Sequence, residues 1–156
     1  MFSVIYASPL GPLLLTCEED GLTGIWFGRE WNGEESEHPV LEKTKLWLDA
    51  YFAGKSPEVE IPLRLCGTPF QKQVWQLLMT IPFGQTRTYG DIAREMALLT
   101  GKEKMSAQAI GQAVGKNPIS ILIPCHRVVG AGGKLTGYAS GLDKKAWLLR
   151  HEGSEL

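Results

Sequence analysis

Long apolar runs are missing from this 156-residue chain, and with them the ~20-residue stretch that a membrane-spanning helix needs. Cysteine is scarce. Cys17, Cys66 and Cys125 are odd in number and far apart. They form no CxxC pair and no Cys/His zinc spacing, so neither a disulfide framework nor a metal site is expected. The opening Met1-Phe2-Ser3-Val4-Ile5-Tyr6 lacks a basic leader and a small-residue cleavage site, which makes the cytoplasm the expected location. In that reducing compartment at least some of the cysteines are free thiols. Excess charge is absent too, with a net of −1. What is present, 44% hydrophobic and 21% charged residues, is the composition of a soluble globular protein with one ordinary domain or two small ones.

The near-zero net charge hides an asymmetry. Residues 1–66 carry 5 Lys/Arg against 11 Asp/Glu, and residues 67–156 carry 11 against 6. An acidic first part and a basic second part hint that the second meets a polyanion. A dipolar surface of solvated charges is the plainer reading of the same numbers.

The first part reads as an antiparallel meander. Val4-Ile5-Tyr6, Leu13-Leu14-Leu15-Thr16-Cys17 and Leu22-Thr23-Gly24-Ile25-Trp26-Phe27 are strands, separated by turns at Ser8–Gly11 and Glu19–Gly21. Residues 29–38, rich in Glu and Gly, are an exposed loop. A helix follows from about Pro39 to Phe52, with a stripe of Leu41, Leu48, Tyr51 and Phe52 and a stop at Gly54. Residues 55–66 are a connector around a short Val59-Glu60-Ile61 strand.

The second part reads as mostly helical. Thr68, Pro69 and Gln71 spell a capping box, and Phe70, Val74, Leu77, Leu78 and Ile81 keep a helical period as far as Pro82-Phe83-Gly84. Thr88 caps a second helix, with Asp91 at its third position and Ile92, Ala93 and Met96 inward. Ser106 caps a third, ending near Val114. Two short capped helices joined by a polar loop outline a helix-turn-helix, an outline shared with helical hairpins in ordinary cores. The third helix is slim: Ala107, Ala109, Gly111, Ala113 and Gly115 are small, and its long polar groups are Gln108 and Gln112. Two glycines cost it about 1 kcal/mol each relative to alanine. The slimness serves either close helix packing or close approach to a nucleic-acid backbone.

Beyond that helix, Gly115-Lys116-Asn117-Pro118 leads into Ile119-Ser120-Ile121-Leu122-Ile123, read as a buried strand. It delivers Pro124-Cys125-His126-Arg127-Val128-Val129. Pro124 fixes its own φ and biases Ile123 toward extended geometry. A cysteine followed by His and Arg sits among groups that lower a thiol pKa, and the thiolate is the nucleophile. His126 would serve it directly or through a water. A phosphatase loop would want Arg six residues on, where Ala131 stands, and a thioredoxin-like site would want a second Cys three residues away. A cysteine hydrolase, with His126 or His151 as base, stays open.

The run Ile123-Pro124-Cys125-His126-Arg127-Val128-Val129 resembles the active-site signature of the O6-alkylguanine-DNA alkyltransferases. The resemblance extends in order through Gly67-Thr68-Pro69-Phe70, Thr88-Tyr89-Gly90-Asp91-Ile92-Ala93, Asn117-Pro118, Leu135-Thr136-Gly137-Tyr138 and Trp147-Leu148-Leu149-Arg150-His151-Glu152-Gly153. It implies an α+β protein with two domains. Residues 1–66 would form a small antiparallel sheet with a helix, ribonuclease H-like. Residues 67–156 would form a mostly helical, winged-helix-like domain holding the helix-turn-helix. It also implies a reaction: double-stranded DNA is bound in its minor groove, the damaged nucleotide is rotated out of the stack, and the alkyl group on O6 of guanine, or O4 of thymine, passes irreversibly to Cys125.

By the same analogy His126 takes the thiol proton through a water, and Glu152 orients His126. Tyr89 donates its hydroxyl to the purine, and Asn117 braces the turn before the active site. Gln108, Ala109, Thr88 and Arg127 belong to the DNA-facing set, Tyr138 lines the base pocket, and the backbone at Val128 and Ala139 meets the base edge. No cofactor is needed, because the alkyl group comes from the substrate. Some members bind zinc near the N-terminus, but residues 1–66 offer only Cys17, Cys66 and His38, so no metal is expected. The expected partner is duplex DNA carrying O6-alkylguanine; no membrane is involved and the protein acts as a monomer. One departure stands out: many members carry Arg where this chain has Gln108, which can fill a vacated stack but lacks the charge and length of Arg. The runner-up expectation is a sensor that binds the lesion and recruits other repair factors without transfer.

Overall fold

The computed structural model describes residues 1–31 and 33–154. They divide into two units: Met1–Cys66 with Pro118–Ser120, and Gly67–Asn117 with the chain from Ile121 onward.

In the first unit the three apolar segments form strands β1 (Phe2–Ser8), β2 (Gly11–Glu18) and β3 (Gly21–Phe27). They pair antiparallel in that order, with Val4 opposite Leu15 and Leu15 opposite Ile25. Helix α1 (Pro39–Phe52) begins at His38, whose ring nitrogen accepts from the Val40 amide at 3.1 Å. Its stripe of Leu41, Leu48 and Tyr51 is fully buried with Leu13, Leu15, Leu22 and Ile25, so the helical period and the strand alternation build one apolar core.

The expected strand at Val59-Glu60-Ile61 does not form. Pro57 and Pro62 cannot donate to a ladder, and pairing starts only at the Pro62 carbonyl, which accepts from the Leu22 amide at 2.8 Å, so that Leu63 bridges Leu22. Pro118–Ser120 uses the same β3 edge: the Ile25 amide donates to Pro118 O at 3.0 Å and the Ser120 amide to Ile25 O at 3.2 Å. Two short bridges thus cover an edge that would otherwise expose unpaired backbone groups.

The second unit is built on local caps. Helix α2 (Pro69–Leu78) opens with the Thr68–Gln71 capping box, its two bonds at 3.1 and 3.0 Å. Helix α3 (Tyr89–Thr100) opens with the reciprocal Thr88–Asp91 pair, each bond 3.0 Å, and stops at Gly101 in the left-handed region. Helix α4 (Ala107–Gly115) is capped by Ser106, which accepts from the Gln108 and Ala109 amides. The Trp75 indole donates to Ala113 O at 2.8 Å, tying α2 to α4. Val74, Leu78, Ile92, Met96 and Ile110 are all fully buried, and α3, its loop and α4 make the helix-turn-helix. A parallel pair, β4 (Arg87–Thr88) and β5 (Val128–Val129), and helix α5 (Leu142–His151) complete the unit.

The run Ile119–Ile123 is a turn rather than a strand. Ile119, Ile121 and Ile123 are fully buried, which accounts for the strand-like pattern. The backbone nonetheless reverses at Ile121, which sits in the left-handed region at φ 71. For a β-branched residue that conformation costs about 1–3 kcal/mol, and it lies four residues before Cys125.

Candidate active site

Cys125 begins a short 3-10 turn that ends at Arg127. Just before it, Pro124 has φ −80 and ψ 63, and the Cys125 amide donates to Ile123 O at 2.7 Å. Those values describe an inverse γ-turn, which proline's fixed φ favours. The Asn117 side-chain amide donates to the same Ile123 carbonyl at 2.8 Å. Asn117 therefore pins the turn that presents the sulfur.

The thiol is almost fully buried. Burial pushes its pKa up, while the Asn117 side chain, the charge of Lys145 and the Tyr138 hydroxyl each act in the opposite sense, toward the thiolate. No hydrogen bond joins Cys125 to His126 among the described residues.

His126 is fully buried, and its Nε2 lies 2.6 Å from Glu152 Oε2. Glu152 also accepts from Arg127 at 2.7 Å (Nε) and 3.1 Å (Nη2), and from the Gly84 amide at 3.3 Å. Burial alone would raise the Glu152 carboxyl, but its bonds to His126 and Arg127 outweigh that and bring it down to about 2. Burial drives His126 the other way, below its ordinary value, against the pull of Glu152. The pair is therefore an ionised carboxylate facing a neutral imidazole near pH 7. An ionised carboxylate can only accept, so the imidazole proton resides on Nε2. That leaves Nδ1, buried and without a hydrogen-bond partner among the described residues, as the basic nitrogen. Cys125, His126 and Glu152 thus supply the groups that a nucleophile, a base and an orienter require.

Gly84 serves this cluster through its backbone. Its φ of +84 suits glycine, and a Cβ there would come within 3.0 Å of Glu152 O.

Arg127 departs from the sequence expectation. Expected among the DNA-facing residues, it instead turns its side chain inward: it grips Glu152, donates to Ile81 O at 2.6 Å and lies over the Phe83 ring. It holds the orienting carboxylate rather than reaching a surface.

Tyr89 and Tyr138 approach the same sulfur. Tyr89, at the start of α3, points its hydroxyl at Thr136 O (3.3 Å) and Gly137 O (3.5 Å). Burial first, and then its nearness to Cys125, raise its pKa. Helix α4 passes alongside, where a Cβ on Gly111 would sit 3.9 Å from the Tyr89 ring. Thr88 is occupied as the α3 cap, Val128 is buried within the β4–β5 pair, and Ala139 is exposed. Gln108 is exposed on the first turn of α4, with Ala109 half-buried beside it.

Sequence reasoning missed Lys145. In Asp143-Lys144-Lys145 it reads as part of a solvated charge run, yet it is fully buried. Its ammonium donates to Thr136 O at 2.8 Å and Gly137 O at 3.2 Å, the same two carbonyls that Tyr89 uses. Burial brings its pKa down to about 8, partly opposed by Cys125. The one signal available was position: Lys145 lies on the α5 face with Ala146, Leu148 and Leu149, all buried. Among the described residues no three His, Cys, Asp or Glu side chains gather into a metal-binding set.

A buried thiol, a neutral imidazole and an ionised carboxylate, in the unit that carries the helix-turn-helix, are the groups of a thiol-nucleophile site in a fold of nucleic-acid-binding form. The family models are specific. Residues 69–154 match the 6-O-methylguanine DNA methyltransferase, DNA binding domain, and residues 1–65 match its ribonuclease-like domain. The methylated-DNA--protein-cysteine methyltransferase of Methanosarcina acetivorans is 46% identical over 160 residues, 99% of both chains. That of Mycolicibacterium paratuberculosis is 52% identical, covering 93% of this chain and 88% of its own. The crystal structure of Mycobacterium tuberculosis OGT in complex with DNA superposes with a TM-score of 0.83 at 40% identity, covering 97% of this chain and 92% of that one. The chain belongs to the 6-O-methylguanine DNA methyltransferase family. Its fold class, α+β with a ribonuclease-like first part, is that of the family.

Proposed function

We propose that this chain repairs alkylated DNA by taking the alkyl group from O6 of guanine onto Cys125, once per molecule. In this reading residues 67–156 are the DNA-binding and transfer domain and residues 1–66 an N-terminal α/β domain. The protein works as a monomer on duplex DNA in the cytoplasm. The observation that carries it is the state of His126: neutral, buried, its Nε2 proton held by an ionised Glu152 and its Nδ1 left basic.

Helix α4 enters the groove and the lesion rotates out toward Cys125, a motion eased by the weak pairing of the damaged base. Gln108 fills the vacated stack. The thiol proton passes through a water to His126 Nδ1, and Lys145 and Asn117 stabilise the sulfur anion. The sulfur attacks the alkyl carbon; the S–C bond forms as the C–O6 bond breaks, and the electron pair leaves on guanine. Tyr89 donates its proton to the departing purine, with Lys145 beside it on the same two carbonyls. A thioether has no good leaving group, so the reaction ends there.

The test is a titration of the protein with excess duplex carrying isotopically labelled O6-methylguanine. Protein-bound label that plateaus at one equivalent supports transfer. Continued turnover with no protein-bound label would point to a hydrolase, and lesion binding without any label on protein would leave a sensor.

A further inference from the structure

Away from the reaction centre, a groove of about 490 Å³ runs between the outer face of α3 and the loop that enters α4. Gly90, Ala93 and Ala97 form a small-residue wall, and Leu98 lies at 82% exposure beside it. Its rim carries Arg94, Lys102 and Lys104 against Glu103. Arg94 is partnered by Asp91, but Lys102 and Lys104 are exposed and enter no ion pair among the described residues. An isolated leucine at such exposure needs no explanation, but one set in a groove with two uncommitted cations above it does.

The groove also reaches Ala107, the first residue of α4, so it continues from the helix assigned to the DNA groove. A nucleic-acid strand offers a matching surface, apolar on its deoxyribose faces and anionic at its phosphates. An acidic protein segment would match the cations equally but would have no reason to abut α4. We propose that this groove is a second DNA contact, in which Leu98 packs against sugars of one strand flanking the lesion and Lys102 and Lys104 hold its phosphates. The inference rests on the DNA reading of α4 and adds to it. It supplies cationic contacts beside a recognition helix whose long polar groups, Gln108 and Gln112, are both neutral.

The test is the salt dependence of binding to an undamaged duplex. Each neutralised phosphate adds about 0.9 to the slope of log affinity against log salt. The double variant Lys102→Gln/Lys104→Gln should therefore lower that slope by about 1.8. Between 50 and 200 mM salt, each lost contact removes a factor of about 3.5 from the affinity that the wild type loses. Leu98→Ser should weaken binding several-fold without moving the slope, because a sugar contact releases no counterion. Lys43→Gln, an exposed lysine on α1, is the control and should change neither. An unchanged slope in the double variant, with the wild type binding duplex, overturns the proposal while leaving transfer to Cys125 intact. Absence of duplex binding by the wild type overturns both the proposal and the reading of α4 beneath it. Binding of an acidic peptide, lost in the double variant while the duplex slope stays unchanged, also overturns it in favour of a protein partner.

Discussion

The first unit buries Leu13, Leu15, Leu22, Ile25, Leu41, Leu48 and Tyr51, and its buried polar side chains among the described residues are the neutral Thr16 and Thr44. The second unit, which is somewhat larger, buries His126, Arg127, Lys145 and Glu152. Each charge removed from water costs several kcal/mol unless it is paired and hydrogen-bonded. A domain that needed only to fold would follow the first pattern. In the second, the buried polar groups form a cluster around Cys125 and His126: Lys145 favours the thiolate, Glu152 holds the neutral His126 imidazole and Arg127 holds Glu152. The contrast separates side chains chosen for cohesion from side chains chosen for a reaction.

That contrast can be broken most sharply at the base. His126→Gln should slow single-turnover transfer by about 10²–10⁴-fold, the usual weight of a general base, as measured by rapid quench with O6-methylguanine duplex. A change below tenfold would detach the buried cluster from the chemistry.

Next comes Glu152→Gln. Removing one member of a buried ionic cluster strands the others and should cost about 3–5 kcal/mol in urea unfolding. Leu48→Ala in the first unit should cost a comparable 2–5 kcal/mol through its cavity, yet only the Glu152 variant should alter the acid limb. Glu152 titrates near 2 when folded against an ordinary 4.5. Its folded pKa is depressed, so its stabilisation is fully present above pH 4.5 and drains away as pH falls toward 2. Circular dichroism between pH 5 and 2 should show that loss in the wild type and in Leu48→Ala but not in Glu152→Gln.

Asn117→Ala is smaller. It frees Ile123 O of one bond and removes a group that favours the thiolate. About 1–2 kcal/mol of stability should go, together with an upward move of the thiol titration read from the pH dependence of Cys125 alkylation. Smallest in stability is Lys145→Met. Lys145 titrates near 8 against an ordinary 10.5, so the folded state disfavours its charge below pH 8, and the variant should unfold within about 1 kcal/mol of wild type. Cys125 alkylation should nevertheless shift to higher pH, since the cation beside the sulfur is gone.

The same contrast governs what the sequence made legible. Thr68, Thr88 and Ser106 were readable as caps because a cap is written within three residues of itself, and the strands and α1 because their periods are local. The turn at Ile121 was not: three buried isoleucines at alternate positions carry a strand's pattern, and the reversal is held by an Asn117 bond spanning six residues. The cluster behind Cys125 is wholly long-range. Glu152 reaches His126 across 26 positions, and Lys145 looks like a surface lysine until α5 turns it inward. Cys125, His126 and Glu152 could be named from the resemblance, whereas the inward Arg127 and the buried Lys145 could not.

The surroundings of Cys125 in the second unit should make a buried sulfur more reactive than an exposed one. Cys66 of the first unit is exposed, Cys17 and Cys125 are buried, and all three are free. Peptide-mapping mass spectrometry after reaction with an O6-methylguanine duplex decides between accessibility and placement. One methyl group per chain is expected, on Cys125 alone, and none in Cys125→Ser. Methylation of Cys66, or of the Cys125→Ser protein to the same extent, would contradict it.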